Sequence, residues 1–537
     1  MLPPPLLRSI PWVASALSGL LLAFCFAPWN QPSLLWFVFL PLLWSLWNRP
    51  TGSPKWTAPL FGYLFGLVFF TTSLHWISAL APLFEDNSLI GLPLLLSSYL
   101  AVYPALWAWL LQNPPQKANS SVGTSFKNIA FALSGASTWV LLDWLRGWLF
   151  TGFGWNAPGV ALHSNIALIQ IADIFGVYGL SFLIVFTNVS LALVIRRLSH
   201  ERSIRAIPSV RFELMVVLLL IGGAVSYGAH TIINSRQTGT PLRVICLQPN
   251  QPQDILFDRA GEDAVFTTID RLMSLAAPLA PHLVLWPEAA TPRGIYADQA
   301  NHDFILKQAA RTSAALLIGS VEPKTFENQE DLDTFNSALL LSKNATSIQS
   351  YKKRHLVPFG EYLPFRDFLP SAIRQLVPGD LAAGTEANLL KLDQPAIQIG
   401  ALVCFEDSLA RETRSLALAG AQILVNLTND AWFAQTAGAA QHLANARFRA
   451  IETRLPLLRC ANTGITCQID RLGFIKSELA PFQENILSTE VIVPVKPTPT
   501  LYTTLGDTWL FLCLIAATPL IAMRFRKKRL SQSTPLA

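Results

Sequence analysis

Charge is what this chain has least of. Asp, Glu, Lys and Arg make up 14% of its 537 residues, while 51% are hydrophobic; a soluble globular chain carries about 25% charged residues. The deficit excludes an ordinary soluble protein and points to long segments in lipid. Basic residues give a net charge of +6, but they sit in short clusters between apolar runs. Nucleic acid is therefore not an expected partner. Cysteine is sparse too: Cys25, Cys246, Cys404, Cys460, Cys467 and Cys513 include no CxxC pair, which argues against a structural zinc site. No disulfide framework is evident; a Cys460–Cys467 bridge stays open only if that segment lies outside the cytoplasm. HExxH, GxSxG and Walker loops are missing, which removes the commonest metalloprotease, serine-hydrolase and nucleotide-hydrolysing classes. No inverted repeat or pair of broken helices suggests a transporter.

What is present in quantity is apolar runs long enough to cross a bilayer, about 17–25 residues each. Spans are expected near 10–27, 33–48, 57–80, 89–112, 128–149, 168–195, 213–233 and 506–523. The 16 Trp and 32 Phe fit a chain with wide interfacial belts. The first run is read as a retained helix rather than a signal peptide: Arg8 is its only early basic residue, and no small-residue cleavage site follows. Charges between the runs set the orientation. Arg49 and Lys55 follow the second run, Lys117 and Lys127 the fourth, Arg196, Arg197, Arg202, Arg205 and Arg211 the sixth, and Arg524 to Arg529 the last. The loops after the first and third runs carry no Lys or Arg. All basic loops then fall on one side, which the positive-inside rule makes the cytoplasm. Both termini are expected there, with residues 235–505 on the outer face, the periplasm of a Gram-negative bacterium. Asp143 and Arg146, at i and i+3 near the end of the fifth run, are either a self-neutralising pair or a polar feature at a lipid-headgroup entrance beside RGWLFTGFGWNAPG.

Composition shifts near Asn234. The runs LRVICLQP, HLVLWPE, AALLIGSVE, NSALLLS, AIQIGALVCFE and AQILVNLTN are short and rich in Val, Ile and Leu, as strands covered on both faces are. Helical patterns at 261–279, 300–315, 409–419 and 437–453 lie between them. This alternation predicts an α/β domain. Three domains are expected: 1–234 transmembrane, 235–505 catalytic, and 506–537 a last helix with a basic cytoplasmic tail.

Chemical groups stand where these strands end. Glu288 closes HLVLWPE, Cys404 closes IQIGALVCFE, and Lys353 lies in YKKRHLVPFGEYLP. Each alone has a bland explanation: a core thiol, a turn carboxylate, a surface lysine. Together they supply acyl chemistry. A carboxylate can take the proton of a thiol, and a fixed cation with a backbone N–H such as that of Phe405 can hold the oxyanion of a tetrahedral intermediate.

WPEAATP, YKKRHLVPFGEYLP and LVCFED resemble the three signature blocks of the nitrilase superfamily of carbon–nitrogen hydrolases. NLTNDAWF and QHLANARFRAIETRLPLLRCANTGIT are similar to its later blocks, and with flanking helices the whole chain resembles the bacterial apolipoprotein N-acyltransferases. The resemblance implies an α-β-β-α sandwich on a base of about eight transmembrane helices. It implies Glu288 as base, Lys353 as oxyanion stabiliser and Cys404 as nucleophile. It also implies a ping-pong reaction through a thioester, with a phospholipid such as phosphatidylethanolamine as donor, diacylated apolipoproteins as acceptors, no metal or other cofactor, and a monomer.

Glu361 and Glu406 match supporting acidic positions, whether as structural props or as parts of the site. Phe405 stands where Tyr is frequent and Phe257 where Trp is common. Asn429, Asp430 and Trp432 are expected to shape the pocket, while His442 reads as structural rather than as a ligand or base. Loops near 150–160 and 360–385 are candidate gates by their Gly and Pro content. Two competing readings remain: a membrane-anchored amidase using the same residues with water as acceptor, and a non-catalytic lipid-binding protein.

Overall fold

The computed structural model describes residues 4–49, 52–83, 87–201, 207–252, 261–295, 298–323, 334–368, 374 and 379–530. Residues 1–81, 87–233 and 505–537 group into one compact unit, and residues 82–86 with 234–504 into a second.

The first unit is helical. All eight expected apolar stretches contain helix, but fewer qualify as spans. Among the described residues, Leu89–Leu111, Ala172–Ser199, Val210–Asn234 and Leu501–Phe525 are long and apolar enough to cross a membrane. A fifth is reached if Thr57–Ser73 and His75–Pro82, bent by 47°, count as one. The stretch expected at 33–48 is instead a 3-10 turn, Pro32–Trp36, followed by a short helix, Leu40–Trp47. Pro32 and Pro41 each remove a backbone donor there.

The stretch expected at 128–149 is a longer helix, Ser121–Arg146. Ser120 caps it by accepting from the Gly123 N–H at 3.0 Å. Its first turns are polar because they face a buried acid. Glu213 accepts from Ser125 Oγ at 2.8 Å, Asn128 Nδ2 at 3.1 Å and Arg197 Nη1 at 3.1 Å. Leu218, Leu219, Phe511, Leu512 and Ile515 are 65–70% exposed, an apolar surface suited to lipid rather than water. Asp143 and Arg146 form a buried ion pair at 2.5 Å. Arg146 Nη1 also donates to the carbonyls of Phe153 and Trp155 at 2.7 and 2.8 Å, so the pair ties down the loop that follows its helix.

The second unit is built on two six-stranded sheets among the described residues. In chain order the strands are β1 (Thr240–Gln248), β2 (Leu283–Trp286), β3 (Ala315–Pro323), β4 (Thr334–Leu341), β5 (Ile348–Lys352), β6 (Leu390–Asp393), β7 (Ala396–Val403), β8 (Ile423–Thr428), β9 (Leu457–Ala461), β10 (Cys467–Ile469), β11 (Ile475–Glu478) and β12 (Asn485–Val493). One sheet runs β12-β1-β2-β3-β4-β5 and the other β11-β10-β9-β8-β7-β6. Each has a parallel centre, β1-β2-β3 and β7-β8-β9. Their inner faces share one core, with Leu283, Leu285 and Leu317 on one side and Ala401, Val425 and Leu458 on the other. Helices Glu262–Ala276 and Gln299–Thr312 cover the outer face of the first sheet through Ile269, Met273 and Ile305. Helices Ala410–Leu418 and Gly438–Thr453 cover the other through Leu416, Ala446 and Ala450. The domain is therefore an α-β-β-α sandwich. All six cysteines are free, Cys460 and Cys467 among them.

Candidate active site

Parallel strands end together, so their carboxyl ends form one rim in each sheet, where open α/β sheets generally present chemistry. Glu288 stands two residues past β2, Lys353 directly past β5 and Cys404 directly past β7. The rims meet: Glu288 Oε2, from the first sheet, accepts from the Asn429 N–H past β8 at 2.8 Å. Gly319 on β3 lets the Glu288 turn pack flat. A Cβ there would lie 2.3 Å from the Pro287 carbonyl oxygen and 2.6 Å from Glu288 Cα.

Lys353 is 1% exposed. Its ammonium lies 2.8 Å from Glu361 Oε2 and 2.9 Å from Oε1, but 3.8 Å from Glu288 Oε1. Asn336 Nδ2 bridges the two acids, donating to Glu288 at 2.7 Å and to Glu361 at 2.9 Å. The Val357 N–H donates to Glu361 at 2.8 Å.

These contacts split the carboxylates. Burial would raise Glu361, but Lys353, Asn336 and Val357 outweigh it and hold it below the usual range. Burial dominates at Glu288 and raises it, against the pull of Lys353 and hydrogen bonds from Asn336 and Cys404. Lys353 would be depressed by burial, yet Glu361, Cys404 and Glu288 hold it above the usual range. The site thus contains an ion pair, Lys353–Glu361, and beside it a carboxyl able to exchange a proton with the Cys404 thiol. Two acids whose environments separate their proton affinities divide the roles of counter-ion and base.

Cys404 is partly exposed and has φ 54°, the left-handed region that non-glycine residues rarely occupy. The sharp turn from strand into the 3-10 segment Cys404–Ser408 presents its thiol at the rim. Glu406 sets that turn. It is fully buried and accepts from the N–H groups of Val403, Arg354 and His355 at 2.9, 2.7 and 3.1 Å, and from the Tyr351 hydroxyl at 3.0 Å. One carboxylate therefore ties the Cys404 turn to the Lys353 strand end.

Burial pushes Glu406 up to about 7 from an ordinary 4.5, despite the opposing backbone donors. A carboxyl raised on folding holds its proton more tightly when folded. Its stabilising contribution is full below the unfolded value and is lost as pH rises through about 7. Glu406→Gln does not titrate. The stability of the wild type relative to this variant is expected to fall between pH 5 and 8 by roughly 3 kcal/mol. Thermal unfolding of both proteins across that range checks it, and a pH-independent difference would refute it.

Of the other expected site residues, Phe405 is half-buried and stacks on His355, centroids 6.1 Å apart. Trp432 lies half-buried in the 3-10 turn Asp430–Phe433 past β8. Phe257 lies outside the described residues. His442 is buried between Asp407 and Asp430.

Sequence reading missed Asn336, Tyr351 and His355. Asn336 and Tyr351 sit in strands beside other polar residues, and only their burial marks them. His355 Nδ1 accepts from Arg411 Nη2 at 2.7 Å. Burial and Arg411 hold its imidazole down to about 4, keeping it neutral.

Comparison with known proteins agrees with this architecture. The apolipoprotein N-acyltransferase N-terminal domain family matches residues 18–190, and the carbon-nitrogen hydrolase family matches residues 244–494. The apolipoprotein N-acyltransferase of Geobacter metallireducens is 35% identical over 524 residues, covering 96% of each chain. That of Methylococcus capsulatus is 31% identical over 528 residues, again 96% of each. Among solved structures, an amidase from Nesterenkonia sp. aligns at 19% identity and TM-score 0.36, covering 52% of this chain and 97% of the other. With a carbon-nitrogen hydrolase sandwich, a helical unit matching the companion domain, and full-length relatives above 30% identity, the chain belongs to the apolipoprotein N-acyltransferase family.

Proposed function

We propose that this protein transfers a fatty acyl chain from a phospholipid, through a thioester on Cys404, to the N-terminal α-amino group of S-diacylglyceryl-cysteine on apolipoproteins. The observation that carries the reading is the Glu288–Lys353–Glu361 cluster at the strand ends, with Cys404 close enough that it and Glu288 shift one another's proton affinity. Glu288 takes the thiol proton as sulfur attacks the sn-1 ester carbonyl. Lys353 and the Phe405 N–H stabilise the oxyanion. Collapse expels the sn-1 alkoxide, which recovers the proton from Glu288 and leaves as lysophospholipid. The acceptor amine then attacks the thioester and passes its proton through Glu288 back to sulfur, giving an amide and the free thiol.

A helical unit with lipid-suited surfaces favours substrates that arrive from the bilayer, which a single anchoring helix would not require. Eight spans, both termini in the cytoplasm and a periplasmic catalytic domain complete the proposal, supported by the side on which the Lys and Arg clusters fall. Phosphatidylethanolamine is the proposed donor, and the protein acts as a monomer without metal or other cofactor.

Purified protein incubated with labelled phosphatidylethanolamine is expected to carry an acyl adduct on Cys404 by mass spectrometry. A diacylglyceryl-cysteinyl peptide should clear it, far faster than water does. An adduct cleared by water and indifferent to peptide would make the protein a hydrolase instead.

A further inference from the structure

Beneath the nucleophile turn lies a buried cluster that the reaction above does not use. Asp407, Asp430, His442 and Arg459 are all 0% exposed. His442 Nδ1 is 2.9 Å from Asp430 Oδ1, and Nε2 is 2.7 Å from Asp407 Oδ1. Arg459 Nη1 contacts Asp407 Oδ2, and Nη2 is 3.5 Å from Asp430 Oδ2. Each carboxylate thus gives one oxygen to the imidazole and the other to the guanidinium. Two carboxylates share one guanidinium where water cannot screen them, and Arg459 is the fixed positive charge between them. Its Nη2 also lies 3.3 Å from His442 Nδ1. Gly464 closes the cluster, since a Cβ there would lie 2.1 Å from Asp430 Oδ2.

The cluster reaches the nucleophile through one side chain. Asn426, buried on β8, donates from Nδ2 to Asp407 Oδ2 at 2.5 Å and to the Cys404 carbonyl at 3.1 Å. That carbonyl belongs to the residue held at φ 54°. The amide bridge therefore bears on the same strained turn that Glu406 fixes from its other side.

We propose that Asp407, Asp430, His442 and Arg459 form a buried support that positions the nucleophile, holding the Cys404 carbonyl through Asn426, with Asp430 and Arg459 setting the electrostatic potential at the thiol. None of the four takes part in bond making; they are positioning residues. The role rests on Cys404 being the nucleophile, but the first test does not. Burial raises the thiol, and the charges acting on it are Glu288, Lys353, Asp430 and Glu361. Of the support, Asp430 acts on it from beneath, and Arg459 interacts with it as well.

The test follows alkylation of Cys404 by iodoacetamide from pH 6 to 10 in the full-length protein in detergent, by mass spectrometry of the Cys404 peptide. Asp430→Asn removes a negative charge and should lower the pH needed for a given rate by about 1 unit. Arg459→Met removes a positive charge and should raise it by about as much. The double variant Asp430→Asn/Arg459→Met should return to within a few tenths of a unit of wild type, and Arg459→Lys should stay there. Loosening of the fold alone would move every variant the same way, so shifts of one sign, or none, overturn the proposal.

If the single substitutions unfold the protein, the double variant and Asn426→Ala decide. Asn426→Ala keeps all charges and should lower kcat for acyl transfer ~10-fold or more with KM unchanged. A double variant displaced by a full pH unit, or wild-type kcat in Asn426→Ala, sinks the idea. Acyl transfer by Cys404→Ala would instead sink the catalytic reading and leave the alkylation shifts standing.

Discussion

Cys404→Ala is expected to form no acyl adduct and to transfer acyl chains at least ~10⁴-fold more slowly than wild type. The size follows from what remains. Glu288, Lys353, Glu361 and Asn336 would keep their mutual contacts, because none of these depends on the sulfur. Substrates would still bind, but no atom at the end of β7 could carry the acyl group between two substrates. Direct attack by the amine on the phospholipid ester would need both lipids at the site together, and the alkoxide is a far poorer leaving group than a thiolate.

The fold should survive. Cys404 is partly exposed, and alanine tolerates φ 54° about as well as cysteine does. Thermal unfolding within about 1 kcal/mol of wild type would therefore accompany the loss of activity. Mass spectrometry of the Cys404 peptide and a peptide-acylation assay check both halves. Transfer above a tenth of the wild-type rate would remove Cys404 from the chemistry.

Much of the catalytic unit is legible because its central strands are covered on both faces. β1, β2, β3, β7 and β8 read as short, mostly apolar runs, and Glu288 and Cys404, which follow two of them, stand out by contrast. β5 and β6 are harder to read, since they are short and lie at sheet edges, and Ile348–Lys352 shows only Tyr351 fully buried. β9 is hidden for another reason. Leu457–Ala461 is wholly buried yet carries Arg459 in its middle, and a guanidinium in a strand reads as surface until its partners are known. Those partners, Asp407 and Asp430, lie 52 and 29 residues away in the chain, and no local pattern connects them.

Asn336 is hidden in the same way, an amide in an apolar strand whose use depends on two acids from other elements. In the helical unit the apolar runs mark helices reliably but not spans. Pro41 interrupts the 33–48 run, and the start of Ser121–Arg146 is polar because Glu213 and Arg197 lie against it. Hydropathy counts residues and does not see partners.

Glu288→Gln is expected to slow both half-reactions by about 10²–10⁴-fold, the usual worth of a positioned acid–base group, and to abolish the acid limb of the pH–rate profile. Glu288 must be ionised to accept the thiol proton. Because burial raises it above the ordinary carboxylate range, wild-type activity is present above that raised value and lost as pH falls through it. That limb should lie at a higher pH than an exposed glutamate would give. Glu361 cannot substitute as the base: it is paired with Lys353 at 2.8 Å, held below the usual range, and stays ionised over the same interval.

The glutamine also brings a structural penalty that can be separated from the chemistry. Glu288 accepts from Asn336 through one oxygen and from the Asn429 N–H through the other. An amide in either orientation sets its NH₂ against one of these donors, which costs about 1–3 kcal/mol of stability. A destabilised but intact site would lose rate evenly across pH and keep its acid limb. Loss of the base flattens the limb while Lys353 and Cys404 remain in place. Pre-steady-state acylation of Cys404 between pH 5 and 9, in wild type and variant, distinguishes the two, and an acid limb unchanged in Glu288→Gln would assign the proton transfer to another group.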